Sequence, residues 1–266
     1  MESLLLVKNV AFTIAGFDVY WYGIIICLAI VVAVLVATAL CKARKYDTEM
    51  PLNIALVILP AGILSARLFA ILFDSSMKLA DFFNFRTGGM SIIGAVIGGG
   101  LALLIYLLIK KEKNMLLYFD TLCVVLILAQ AIGRWGNYFN EELYGQVIEA
   151  SSWMARFPFA VKIDGVFYQA LFFYECVLNL VGFTIMSAVF MTEINTGYVT
   201  GFYLMYYGTV RAILEPLRQE AYILRYAGLP ISQVCSFAMI ALGLGIIIYT
   251  IVKRKKSKEV KHEQKG

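Results

Sequence analysis

Residues 20–40 read YWYGIIICLAIVVAVLVATAL, an unbroken run without a single charge, and it stops abruptly at Cys41-Lys42-Ala43-Arg44-Lys45. A helix needs about 20 apolar residues to cross the hydrocarbon of a bilayer, and a basic block directly after such a run marks a cytoplasmic end. Six further apolar runs follow at 52–73, 90–109, 116–133, 167–190, 197–214 and 231–252. The expected fold class is therefore all-α, a polytopic membrane protein with seven transmembrane helices.

Composition points the same way. Apolar residues make up 61% of the 266 and charged residues 15%, against roughly 45–50% and a quarter in soluble domains. A disordered chain, a disulfide-stapled secreted domain and a nucleic-acid module are excluded. The net charge of +5 is not a polyanion-binding surface, because seven of the 23 Lys and Arg sit in 253–266, which reads as a basic, disordered cytoplasmic tail. Cys27, Cys41, Cys123, Cys176 and Cys235 lie far apart in or beside apolar runs, so they read as free cysteines. The only histidine, His262, is in the tail, so neither a metal site nor a histidine base is expected within the membrane.

An odd number of spans puts the termini on opposite sides. Thirteen Lys and Arg fall in the connections after the first and third spans and in the tail, and ten elsewhere, several of them inside spans. The first set is cytoplasmic by the positive-inside rule, and the N-terminus is outside. Residues 1–252 are expected to form one integral membrane domain with outer loops 74–89 and 134–166. The first nineteen residues, broken by Glu2, Lys8, Gly16 and Asp18, do not read as a cleavable signal. They suit a short segment at the outer interface. Leu79, Phe82, Phe83 and Phe85 among charges suggest an amphipathic stretch in the headgroups over 74–86.

Charges within spans are costly and mark function or buried pairing. Arg67 is mid-span, and Glu175, beside Tyr174, is its acidic partner by type. Tyr207, Arg211, Glu215 and Arg218 are spaced four, four and three, which places them on one helical stripe. Pro216 should disturb the helix and leave Arg218 the least secure of them. Two readings stand: an internal Arg211–Glu215 pair with Tyr207 at the interface, or a stripe whose excess positive charge receives an anion. The fourth span ends in GRWGNYFNEELYG over 133–145, three permissive glycines among Arg134, Asn137, Asn140, Glu141 and Glu142, as a preorganised polar site needs. Gly94 and Gly98 form GxxxG, the spacing of close helix packing.

Taken in order, these pieces resemble the prolipoprotein diacylglyceryl transferase family. The hallmark is similar to Gly133-Arg134-x-Gly136-Asn137-x-x-Asn140-x-Glu142-x-x-Gly145. Trp21-Tyr22-Gly23, Ser65-Ala66-Arg67-Leu68, Gly88-Gly89-Met90-Ser91, Tyr174-Glu175 and Tyr207-Gly208-x-x-Arg211-x-x-x-Glu215-x-x-Arg218 look like further landmarks. The resemblance implies transfer of a diacylglyceryl group from phosphatidylglycerol to the lipobox cysteine thiol of a prolipoprotein, in the bacterial cytoplasmic (inner) membrane, with glycerol phosphate released and no metal or other cofactor. It implies that Arg134 and Arg211 hold the phosphate, with Tyr207 and Glu142 as further catalytic groups. Asn137 and Asn140 would shape the headgroup pocket, and Gly145, Arg67, Glu175, Glu215, Arg218, Gly89, Ser91 and Gly94 would complete substrate binding. The chain departs from the family at Ile93, where a histidine is usual, at Gln169-Ala170, where His-Pro is common, and at Tyr20, where Arg is usual. Thiol activation then falls to Tyr207, Glu142 or the arginine field. The alternative is a paralogue that binds anionic phospholipid without transfer. A transporter should show internal symmetry or paired broken helices, and the sequence has neither.

The charge distribution yields a topology test. Reporters fused after Lys45, Lys113 and Lys253 should report cytoplasm, and those within 74–86 or 150–165 the outside. A cytoplasmic signal from 150–165 would put the hallmark segment on the wrong face.

Overall fold

The computed structural model describes all residues except 1–8, 74–76, 84–88, 193–195, 224, 227 and 264–266. Seven long helices carry the described chain: α1 (Trp21–Ala43), α2 (Met50–Phe73), α3 (Ile92–Ile109), α4 (Met115–Phe139), α5 (Leu171–Met191), α6 (Tyr198–Leu214) and α7 (Ile231–Glu263). All but α6 are long and apolar enough to cross a membrane. Their outer faces fit that solvent: Leu35, Leu56, Val96, Ile105 and Ile248 are each more than half exposed, an apolar coat that water would not tolerate. The chain is a multi-pass membrane protein. α6 has 17 residues, about 26 Å at 1.5 Å per residue, and a 3-10 turn over Glu215–Leu217 prolongs it.

α4 is the hub, packing on α1, α5 and α6, while α2 pairs with α3 and α6 with α7. One core gathers Ala37 of α1, Val124 and Ile127 of α4, Met186 and Phe190 of α5, and Val199 and Tyr203 of α6. A second gathers Cys41, Met50, Ile54, Leu103 and Leu107 and seats the α2–α3 pair on the rest. The GxxxG expectation is met at that pair: a Cβ on Gly98 would lie 1.9 Å from Ser65 Oγ, and one on Gly94 2.5 Å from Phe69 Cβ.

Polar groups fix the start of α6. Gly197 takes a left-handed φ of 106° as its N-cap, which leaves the first amides of the helix without helical acceptors. The buried Asp120 of α4 supplies them. Its Oδ2 accepts from the Gly197 N–H at 2.6 Å and its Oδ1 from the Thr200 N–H at 2.8 Å, and the Thr200 hydroxyl donates to Oδ1 as well. A carboxylate there also meets the positive end of the helix dipole.

Three sequence expectations change. The hallmark was expected to open a loop at 134, yet α4 runs to Phe139. Gly136 permits this, because its bare Cα leaves room for the Tyr22 ring, which a Cβ would approach to 2.6 Å. The tail is not irregular: α7 extends through it to Glu263, since Lys, Arg and Glu are good helix formers and no Gly or Pro interrupts them. The connections before α1 and between α4 and α5 are not plain loops. β1 (Val10–Ile14) and β2 (Phe17–Tyr20) form a hairpin before α1, and β3 (Val147–Ile148), β4 (Ala160–Ile163) and β5 (Val166–Gln169) form an antiparallel sheet in the order β3-β5-β4. A third pair, β6 (Arg225–Tyr226) and β7 (Leu229–Pro230), precedes α7. Of the stretch expected to be amphipathic, 74–76 and 84–86 lie outside the described residues, and Leu79–Asp81 is a 3-10 turn.

The buried cap makes a stability prediction. Asp120→Ala leaves at least two buried N–H groups without acceptors and should cost about 1–3 kcal/mol. Asp120→Asn, which keeps one acceptor oxygen, should cost less. Thermal unfolding in detergent measures both, and equal midpoints for the two variants and the wild type would refute the capping role.

Candidate active site

The site grows from the C-terminal end of α4. Arg134 and Asn137 are three residues apart and share a helix face, and Arg134 Nη1 donates to Asn137 Oδ1 at 3.4 Å. Beyond Phe139 the chain folds back on itself, with φ of 50° at Glu141 and 57° at Leu143, both in the left-handed region. The turn aims Glu142 inward. Its Oε1 accepts from Asn137 Nδ2 at 3.0 Å and from Asn140 Nδ2 at 3.1 Å. Gly145 then bridges to Arg218 and donates its N–H to the Gln169 carbonyl at 2.9 Å. A Cβ at Gly145 would lie 2.8 Å from Gln169 Cβ and 2.9 Å from the Leu217 carbonyl oxygen, so only glycine fits.

Glu175 of α5 is the centre of charge. Arg134 Nη2 lies 2.5 Å from its Oε2, and Arg211 Nη1 and Arg218 Nη2 lie 3.1 and 3.2 Å from its Oε1. Glu215 Oε2 accepts from Arg211 Nη2 at 2.8 Å and stands 3.6 Å from Arg218 Nε, and Arg211 Nη2 also donates to Ser232 Oγ at 2.8 Å. Three guanidiniums thus face two carboxylates, all of them largely buried, leaving one formal positive charge in excess. Burial, and then the charge of Arg211, pull the Arg218 pKa below its ordinary value, while Glu175 and Glu215 oppose the shift. Pro216 does end the regular helix, as its sequence position implies. The 3-10 turn nevertheless returns Arg218 to both carboxylates.

Tyr207 stacks on Tyr203 with centroids 5.7 Å apart, and Tyr207 and Tyr22 flank the Arg134 guanidinium. Tyr22 also neighbours Glu142. Arg134, Asn137, Asn140, Glu142, Gly145, Glu175, Tyr207, Arg211, Glu215 and Arg218, drawn from positions up to 84 residues apart, therefore form one constellation. On the α6 stripe Arg211 and Glu215 do pair, and Arg211 and Arg218 turn as well to Glu175 of α5.

The pairing of Arg67 with Glu175 is not formed, because Glu175 faces α4 and α6 and is taken by three other arginines. Arg67 is fully buried on α2 and donates from Nη1 to the Gly89 carbonyl at 2.9 Å. Gly89 has φ of 72° there. Ser91 donates its N–H to the Ala66 carbonyl at 3.0 Å, and its hydroxyl caps α3 by accepting from the Gly94 N–H at 3.3 Å. Arg67, Gly89, Ser91 and Gly94 thus make a second group that shapes the α2–α3 junction. Ile93, in the first turn of α3, is 44% exposed. Gln169 closes β5 beside Gly145, and the Ala170 N–H donates to the Phe159 carbonyl at 3.0 Å, a bond that proline could not make.

Sequence reasoning gave Ser232 and Gln146 no role and marked Tyr22 only within the Trp21-Tyr22-Gly23 landmark, although Ser232 and Gln146 bond to the constellation and Tyr22 packs beside Gly136 next to it. Gly136 was the available signal for Tyr22. Against the site opens a cavity of about 450 Å³ that shares Asn137 and Glu142 with it and is walled by Tyr138, Phe157, Phe167 and Phe172. The buried guanidiniums of Arg134, Arg211 and Arg218, fixed by their carboxylate partners beside this cavity, are suited to bind a phosphodiester and to stabilise charge developing on a phosphate leaving group.

Comparison with known proteins bears on this geometry. The family model described as Prolipoprotein diacylglyceryl transferase matches residues 9–249. A phosphatidylglycerol--prolipoprotein diacylglyceryl transferase of Listeria monocytogenes serotype 4a is 36% identical over 252 residues, covering 92% of this chain and 90% of that protein. A protein of the same name from Clostridium novyi is 35% identical, with 92% and 97% covered. One from Streptococcus uberis is 32% identical, with 94% and 96% covered.

Removing the central carboxylate tests the electrostatics. Glu175→Gln keeps the shape but leaves three buried guanidiniums facing one carboxylate, and breaking a buried ion pair from one side costs about 3–5 kcal/mol. The apparent midpoint of thermal unfolding in detergent should fall accordingly. An unchanged midpoint would show that the arginines are neutralised by something other than Glu175.

Proposed function

The chain belongs to the prolipoprotein diacylglyceryl transferase family, and from that membership we propose that it transfers the diacylglyceryl group of phosphatidylglycerol to the cysteine thiol of a prolipoprotein in the bacterial cytoplasmic membrane. The observation that carries the reading is the buried cluster of Arg134, Arg211 and Arg218 against Glu175 and Glu215, whose excess charge matches a single phosphodiester. In this reading the sulfur bonds to the diacylglyceryl carbon while that carbon's bond to the phosphate oxygen breaks. The electron pair of the broken bond leaves with glycerol phosphate, and the thiol proton passes to solvent.

Arg134 and Arg211 grip the phosphate and stabilise the leaving group, since planar guanidinium forks suit two oxygens at once. Asn137, Asn140 and Glu142 form the wall on which the headgroup hydroxyls settle. Glu175 and Glu215 hold the arginines in place and Arg218 completes the field. Tyr207, beside Arg134, and the arginine field together favour the thiolate, a task that a histidine at position 93 would otherwise share. Arg67, Gly89, Ser91 and Gly94 support substrate binding through the α2–α3 junction.

The same reading takes α1 to α7 as seven spans, with the N-terminus outside, residues 1–252 as one transferase domain and 253–266 as a basic cytoplasmic extension. The basic clusters at Lys42 to Lys45, at Lys110 to Lys113 and in the tail support that orientation. It puts the constellation at the outer face, where a secreted precursor presents its cysteine.

Incubating the purified protein with labelled phosphatidylglycerol and a cysteine peptide, followed by mass analysis of the peptide, tests the activity. Thioether product is expected. Binding of the lipid without product at any pH would instead support the non-transferring paralogue. Arg134→Lys and Arg211→Lys should each lower turnover about a hundredfold or more, the scale of losing one fixed donor to a developing charge, because lysine offers a point charge in place of a fork. The wild-type rate should rise with pH toward the thiol pKa of about 8.5, with no step near the ordinary histidine value of about 6.5. Full turnover by the lysine variants would remove the bidentate clamp from the mechanism.

A further inference from the structure

The outer sheet has two unlike edges. On the β3 side the ladder runs on into the arginine cluster, since Gly145 bridges Arg218 and Gln146 Nε2 donates to the Arg218 carbonyl at 3.0 Å. β4 is the other edge. Gln169 turns both its backbone groups toward β3: its N–H donates to the Gln146 carbonyl and its carbonyl accepts from the Gly145 N–H, each at 2.9 Å. Bonding alternates along an antiparallel strand, so Tyr168 turns toward β4 and exchanges bonds with Val161, its partner in register. Lys162, opposite Phe167, therefore presents its N–H and carbonyl away from the sheet. Neither group makes a hydrogen bond among the described residues.

That edge borders the cavity of about 450 Å³, which lies within the range of small-ligand pockets. The cavity has an aromatic wall of Tyr138, Phe157, Phe167 and Phe172. It is also lined by Asn137 and Glu142, which belong to the headgroup site. An unpaired strand edge takes up extended peptide. The volume admits one apolar side chain and a few small ones, not a folded domain.

We propose that the open edge of β4, with the cavity beside it, is the acceptor subsite: an extended peptide segment adds as a strand against Lys162, lays an apolar side chain on the aromatic wall and directs its cysteine toward Asn137 and Glu142. The inference rests on the transfer reading, because that reading supplies a thiol-bearing peptide as second substrate. It accounts for a sheet whose other edge is already consumed by the segment holding Arg218. Peptide and phosphodiester then meet at the same two side chains, which brings the thiol to the carbon next to the phosphate.

The test reads binding, not turnover. A fluorescein-labelled octapeptide with a leucine, two small residues and a serine in place of the cysteine is titrated with the full-length protein in detergent and followed by anisotropy. Single N-methylation is walked along its backbone. Only every second amide of an added strand faces β4, so loss of one hydrogen bond, about three- to tenfold in affinity, should recur at alternate positions, with smaller effects between them. Uniform losses, no losses, or no binding by the wild type would overturn the proposal. Lys162→Pro, which removes an outward N–H that the sheet does not use, should weaken the peptide by a similar factor while phosphatidylglycerol binding persists. Lys162→Ala, which keeps that N–H, should lose less, and an equal loss would assign the contact to the ammonium group and overturn the backbone role. The serine peptide cannot be turned over, so a failure here leaves the thioether assay standing, and a failure of that assay leaves this one readable.

Discussion

The carboxylate of Glu175 holds together the half of this protein that carries the site. Arg134 comes from α4, Arg211 from α6 and Arg218 from the segment beyond Pro216, and all three turn to that one group. Without it the guanidiniums would repel one another in a medium where water cannot screen them. With it they are gathered at a fixed point, still one charge short of neutrality once Glu215 is counted. The deficit is a standing invitation to an anion. A fully compensated cluster would have been sturdier and chemically idle.

Around this point the chain spends its irregular backbone. The left-handed turn at Glu141 and Leu143, the crowded glycine at 145 and the 3-10 turn at 215–217 lie beside the cluster. Each departs from regular structure, and each aims a charged side chain inward. The helices beneath are conventional by comparison. Function here is concentrated in backbone that breaks the local rules while the scaffold keeps them.

Much of this was legible in the sequence. Charge-free runs followed by basic blocks gave the membrane architecture, and the four, four, three spacing of Tyr207, Arg211, Glu215 and Arg218 named one wall of the site. What escaped was partnership: residue type alone offered Arg67 for Glu175, because a sequence does not say which face of α5 meets which neighbour. The hairpin at 160–169 had its signal in Asp164-Gly165 between alternating apolar residues, lost when the region was taken as plain loop. The hallmark glycines looked like loop formers, whereas Gly136 lies within a helix and makes room for a ring.

The trans cap at Asp120 has a mechanical consequence. α4 and α6 are fastened near their N-terminal ends by Asp120 and Thr200, midway by the Gln130 Nε2 donation to the Tyr203 hydroxyl at 3.0 Å, and near their C-terminal ends through Glu175. Two rods pinned at three levels cannot slide past one another, so shear between them is closed as a route for motion. The separation of Arg134 from Arg211 is preset before any lipid arrives.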